Sequence, residues 1–177
     1  MPSLEDCFEG RVWKLGDSVD TNQLAGGGIQ GSDLDETLRI NCLRGLRPDF
    51  TEQVELGDLV VAGTNFGCGS SRQTAVQALL LCGVSVVLAE TLARIFRRNS
   101  IALALPCFAV SGIGGIVEDG DRLRVDYAGR KATNLTTGRE LALPTLPPSV
   151  EAVYRAGGLT QVILHRLAEQ GIVPTSA

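Results

Sequence analysis

Two hydroxyls and a guanidinium, Ser70, Ser71 and Arg72, close the glycine-rich stretch Asn65-Phe-Gly-Cys-Gly-Ser-Ser-Arg72. Glycines let a backbone approach a ligand closely. An arginine presents a planar fork that matches a carboxylate. A helix opening at this point would add unpaired N–H groups and a partial positive charge, both favourable to an anion. The chemistry these residues could perform is therefore carboxylate binding beside a serine hydroxyl. A second reading uses the same letters. Ser70-x-x-Gln73 fits a capping box, in which Ser70 only satisfies the first N–H groups of a helix. The residues alone leave both open.

The neighbouring sequence must position this group. Asp58-Leu-Val-Val-Ala-Gly63 is a short apolar run and predicts a buried strand. A helix is expected from about Ser71 to Cys82, apolar nearly all round and so deeply buried, with Gly83 ending it. Val84 to Ala89 predicts a second buried strand, and Thr91 to Ser100 a helix carrying Arg94, Arg97 and Arg98. Strand, helix, strand, helix is the order of a parallel β-α-β unit. Upstream, Phe8 to Leu15 reads as a strand and glycine-dense residues 16–32 as a long loop. Leu34 to Leu43 reads as a helix with Ser32 or Asp33 as N-cap. Downstream of Pro106 the pattern becomes one of hairpins over 115–129 and short strands over 133–143. Helices near 149–156 and 159–170 follow. The sum is one α/β domain over residues 1–177 with a mixed sheet.

Composition narrows the function. The 177 residues are 44% hydrophobic and 20% charged, with a formal net charge of -4. That is a globular balance, with no basic excess to bind nucleic acid. The first residues lack the basic start and apolar core of a signal peptide. No apolar run approaches the roughly 18 residues of a membrane span. The expected setting is cytoplasmic, without membrane or nucleic-acid partners. The five cysteines are scattered and the single histidine, His165, stands apart from them. Neither a disulfide framework nor a metal site is expected from this chain alone.

The residues also carry a resemblance. Asn65 to Arg72 resembles the signature of the small subunit of 3-isopropylmalate dehydratases and of the matching mobile domain of aconitases. Gly16-Asp-Ser-Val-Asp-Thr21 is similar to the family's G-D-x-x-x-T motif. Gly57 to Gly63 resembles the strand before the signature. Ala93-Arg-Ile-Phe96 with Asn99, Leu105-Pro106 and Gly157-Gly-Leu159 resemble later segments in the same order. The resemblance implies an aconitase-like swivelling β/β/α domain. It implies that Ser70 removes a proton next to a carboxylate and that Ser71 and Arg72 bind substrate oxygens. Asp20 and Thr21, at the end of the G-D-x-x-x-T motif, become substrate contacts. It further implies a large subunit as partner, in a heterodimer or heterotetramer, and a four-iron four-sulfur cluster on that subunit. The reaction would be loss and re-addition of water on a di- or tricarboxylate, 2-isopropylmalate in leucine biosynthesis by default. Homoaconitate, dimethylmalate and citraconate types, or a non-catalytic scaffold subunit, are the alternatives.

Two stretches depart from the family. Ser-Ser-Arg-Glu-His-Ala is its common form, whereas this chain has Gln73 and Thr74 after Arg72. Gly26 stands where the family has a proline, within Gln23 to Gln30, and substrate choice is expected to reside in that run. Outside the motifs, Trp13 is expected in the core, Cys68 as a packed residue and His165 on the surface. Arg94, Arg97 and Arg98 form a basic helical face, either solvated or turned toward another subunit.

Overall fold

Strand β1, Cys7–Lys14, is shared by two kinds of sheet. In a computed structural model describing residues 4–26 and 34–172, its two ends pair differently. Cys7 to Arg11 run antiparallel to β5, Arg122–Asp126. Val12 to Lys14 run parallel to β2, Leu59–Ala62. Beyond β2 come β3, Val86–Ala89, and β4, Cys107–Ala109, both parallel. Beyond β5 come β6, Lys131–Asn134, and β7, Glu140–Ala142, both antiparallel. The resulting seven-stranded order is β4-β3-β2-β1-β5-β6-β7.

The expected β-α-β unit is present. β2 leads through α4, Thr74–Leu81, into β3, and β3 through α5, Arg94–Ala102, into β4. β2 and β3 are buried along their whole length, as strands covered on both faces must be. Successive side chains point to opposite faces, so two cores form. Val60, Ala62 and Val87 join Trp13, Phe50 and the buried residues of α4 on one side. Leu59, Val61, Val86 and Leu88 join Phe8, Phe108 and Tyr154 on the other. Burying each large apolar side chain contributes about 1.5–3 kcal/mol. Trp13 is in the core as expected, and its indole N–H donates to buried Asp58 at 2.8 Å.

Four expectations need correction. The long loop over 16–32 contains a short helix, α1, Thr21–Ala25, closed at its start by a capping box. Asp20 accepts from the Asn22 and Gln23 N–H groups, and the Gln23 side chain accepts from the Asp20 N–H. The segment after Pro106 opens with β4 and then α6, Ile113–Ile116, before the first hairpin strand begins at Arg122. The helix expected from Ser71 begins at Thr74. Finally, α3, Phe50–Gln53, was not expected at all. It is too short for periodicity to show and is held by burial of Phe50 against Trp13, their rings 4.8 Å apart. Helix α2, Leu34–Asn41, matches the expected helix, while Ser32 and Asp33 lie outside the described residues. The terminal helices α7, Pro148–Arg155, and α8, Leu159–Glu169, are where the sequence put them. No described helix is long and apolar enough to cross a membrane.

Candidate functional site

The Asn65–Arg72 segment leaves the C-terminal end of β2 and turns three times through left-handed backbone. Asn65, Gly67 and Gly69 have φ of 57°, 77° and 101°. Gly67 is dictated twice over. Its φ disfavours any side chain, and a Cβ there would overlap Phe96 where the ring joins its own Cβ. Phe96 in turn packs edge-on against Phe66, 5.1 Å between ring centres, which fixes α5 beside the turn.

Two other segments hold the turn between them. On one side lies the G-D-x-x-x-T motif. Ser18 N–H donates to the Thr64 carbonyl, Gly67 N–H to the Val19 carbonyl and Thr21 N–H to the Cys68 carbonyl, each at 2.8 Å. Asp17 Oδ1 accepts from the Thr64 N–H and hydroxyl at 2.6 and 3.0 Å. These bonds, the backbone one first, hold the Asp17 carboxyl below the ordinary carboxylate range. On the other side, Asn65 N–H donates to Thr91 Oγ1 at 2.7 Å, and Phe66 exchanges backbone bonds with Thr91 and Ala93. Asn99 of α5 donates to the Ser71 and Arg72 carbonyls at 3.1 and 3.3 Å. Segments distant in sequence thus meet at one turn.

Ser70 is not a helix cap. The first helical residue is Thr74, the cap position is taken by Gln73, and no side chain caps it. Instead, Ser70 Oγ accepts from the Arg72 backbone N–H at 3.3 Å and from Arg72 Nε at 3.1 Å. Ser70 N–H is anchored on the Thr21 hydroxyl at 2.9 Å. Two donors directed at one hydroxyl oxygen favour its anionic form. Ser71, Arg72 and Gln73 are exposed, and Ser70 is half-buried. The terminal nitrogens of Arg72 have no protein partner among the described residues, so its outer edge faces solvent with the N–H groups of both nitrogens to give. The arrangement can hold an anionic group beside a serine oxygen that accepts from two Arg72 donors.

The remaining expected site residues divide. Thr21 is 6% exposed and reaches the site through Ser70, as the anchor of its backbone. Asp20 engages the α1 cap through Oδ1 and lies in a cavity of about 450 Å³ with Asn22, Gln23, Asn41 and Arg44. Gln23 belongs to α1 and Gly26 follows it, whereas 27–30, the second half of the run expected to govern substrate choice, lie outside the described residues. Asp17 and Asn99 were not singled out by sequence reasoning for a role. Their only signal was membership in the two matching segments. Cys68 is half-buried, its Sγ 3.6 Å from the Ser18 carbonyl. His165 is exposed on α8. Among the described residues no group of three or more His, Cys, Asp or Glu side chains could hold a metal ion.

Comparison with known proteins places this geometry. The family model described as the aconitase C-terminal domain matches residues 47–107, the stretch from before α3 to the first residue of β4. The 3-isopropylmalate dehydratase small subunit 1 of Methanopyrus kandleri is 39% identical, over 90% of this chain and 94% of its own. The methanogen homoaconitase small subunit of Methanothermobacter thermautotrophicus is 40% identical, over 93% of this chain and 95% of its own. A crystal structure of a 3-isopropylmalate dehydratase from Methanocaldococcus jannaschii superposes with a TM-score of 0.86 at 32% identity. It covers 93% of this chain and 98% of that one.

Proposed function

This chain belongs to the 3-isopropylmalate dehydratase small-subunit family of the aconitase superfamily, and we propose from that premise that Ser70 is its catalytic base. The chain is the small subunit of a hydro-lyase and works with a large subunit. In the proposed reaction a proton leaves the carbon next to a carboxylate and a hydroxyl leaves the neighbouring carbon. Water then returns with the positions exchanged. For 2-isopropylmalate this gives 3-isopropylmalate. The relatives include a homoaconitase small subunit, so tricarboxylates of the homoaconitate type belong to the same chemistry.

The observation that carries the reading is the pair of Arg72 donors on Ser70 Oγ. A serine hydroxyl is ordinarily a poor base. Positive charge and N–H donors around the oxygen favour the alkoxide, which receives the substrate proton and returns it on rehydration. Arg72 has its Nε on Ser70, which leaves its terminal nitrogens to hold the substrate carboxylate next to the acidic carbon. Ser71, exposed beside it, supplies a further hydrogen bond to substrate oxygen. Thr21 fixes the Ser70 backbone, and Asp20, the residue before it, is assigned to substrate contact from the cavity it shares with Asn22 and Arg44. The described part of this chain offers no ligand set for a metal. A four-iron four-sulfur cluster held by the large subunit would supply Lewis acidity at the hydroxyl-bearing carbon. We assign the whole of residues 1–177 to one swivelling domain that forms one wall of the shared site.

The test is Ser70→Ala in the enzyme reconstituted with its large subunit. Loss of a general base costs at least about a hundredfold in turnover. Assembly and melting temperature should be preserved, because Ser70 caps no helix. A near-normal rate in the assembled variant would remove Ser70 from the mechanism.

A further inference from the structure

Helix α8 is eleven residues long and has no buried residue. It is nevertheless held firmly at its start. Gly158, at φ 109°, sits so close to the Ala102 carbonyl at the end of α5 that a Cβ there would come within 2.7 Å. Three apolar side chains of α8 are left uncovered by the described residues, Leu159, Ile163 and Leu164 at 47%, 48% and 39% exposed. Beside them on α5 stands Ile95, 40% exposed. Between α5 and α8, and touching α7, runs a groove of about 550 Å³ lined by Ile95, Ile101, Val153 and Leu159 and by Ser71 of the site. Arg98 lines the same groove, and Arg94 and Arg97 lie on the same exposed helix. None of the three arginines forms an ion pair among the described residues.

We infer that the α5–α8 groove is the docking surface for the large subunit, which seats an apolar ridge on Ile95 and Leu159 and sets carboxylates against Arg94 and Arg98. This rests on the small-subunit reading above, since a shared site must be completed from outside this chain. Two observations select this face. Ser71 lines the groove, so a partner seated in it stands beside Ser70 and Arg72. The rim is basic and uncompensated on a chain of net charge -4, so a partner edge of opposite charge gains both attraction and register. The most exposed large apolar residue among the described ones, Leu56 at 93%, lies in a separate cavity with Cys7, Phe8 and Leu80 and has no such link to the site.

The experiment measures binding of the holo large subunit from the same organism, its cluster in place, to purified small-subunit variants under anaerobic conditions. Ile95→Glu with Leu159→Glu should weaken binding by about a hundredfold or more, as loss of central apolar anchors does. Leu56→Glu should bind like the parent. Arg94→Glu with Arg98→Glu, on exposed side chains that can be changed without unfolding, should slow association about tenfold and flatten its salt dependence. Melting curves establish that each variant is folded. Parental binding by the Ile95/Leu159 pair and by the Arg94/Arg98 pair overturns the docking surface. So does a loss confined to Leu56→Glu, or a groove variant that only dissolves a homodimer of this chain. If the parent itself binds no large subunit, the small-subunit reading fails instead.

Discussion

The two halves of the sheet differ in what they do with the ends of their strands. In the parallel half, β2 and β3 each deliver the chain at the same edge, and the helix that returns it starts there. The Asn65–Arg72 turn leaves β2 at that edge, and Thr91 and Ala93 meet it just after β3. In the antiparallel half, β5 and β6 fold straight back on each other through a tight turn at Tyr127 to Arg130. That half carries ion pairs along its surface, Glu9 with Arg122 and Arg124 and Lys131 with Glu140, and none of the candidate site residues. Parallel crossovers gather loops and helix starts from several strands at one edge, and open α/β sheets bind ligands there. Hairpins spend their turns on themselves. The chemistry thus follows topology as much as residue type.

The comparison can be broken by changes that touch one half only. After Ser70→Ala, the largest effect should come from Gly67→Ala. Positive φ and the Phe96 ring both oppose the methyl group, so the variant should lose about 3 kcal/mol of stability and its turnover with it. Thermal unfolding and turnover of the reconstituted enzyme check both. If the variant melts with the parent, the turn is looser than its packing implies. Arg72→Lys comes next. It keeps the charge and loses both the Nε bond to Ser70 and the planar fork, so turnover should fall about tenfold. Parental values of kcat and KM would dissociate Arg72 from both proposed roles.

Acid sharpens the comparison further. The Asp17 carboxyl is depressed in the folded state by the Thr64 backbone and hydroxyl. A depressed folded value means that its contribution is present above the unfolded value near pH 4 and is lost as pH falls through the folded one. Asp17→Asn should therefore melt below the parent at neutral pH, and the gap should close below about pH 4. A gap independent of pH would assign the effect to packing. The smallest effect belongs to the antiparallel half. Glu9 is exposed, and the bonds from Arg124 and then Arg122 that lower its pKa are screened by solvent. Glu9→Gln should leave melting and turnover of the reconstituted enzyme unchanged. A lost rate there would show that the hairpins feed the site after all.

Much of this was legible in the residues, and the failures have physical causes. Runs of β-branched residues between glycines marked β2 and β3, because a strand covered on both faces needs apolar side chains at every position. The glycines and the Ser-Ser-Arg run marked the site, and the matching segments marked its family. The strand β4 was missed because three residues between Pro106 and a loop carry no period. Helix α1 was missed because glycine density hid an Asp20-to-Gln23 capping box, the very pattern that was noticed at Ser70.

That pattern shows where sequence stops. Ser-x-x-Gln and Asp-x-x-Gln are equally good caps on paper, and only one of them caps a helix. The sequence by itself determined the residue types at the site, the parallel strands around it and the family. The tertiary structure decided what those residues bond to. The Asp17–Thr21 segment occupies one side of the turn, Thr91 and Asn99 occupy the other, and between them the start of α4 is held back to Thr74. Ser70 is thereby turned from the helix toward Arg72 and the open face. A capping pattern records what a side chain can accept, whereas the partners it meets depend on contacts between segments far apart in the chain.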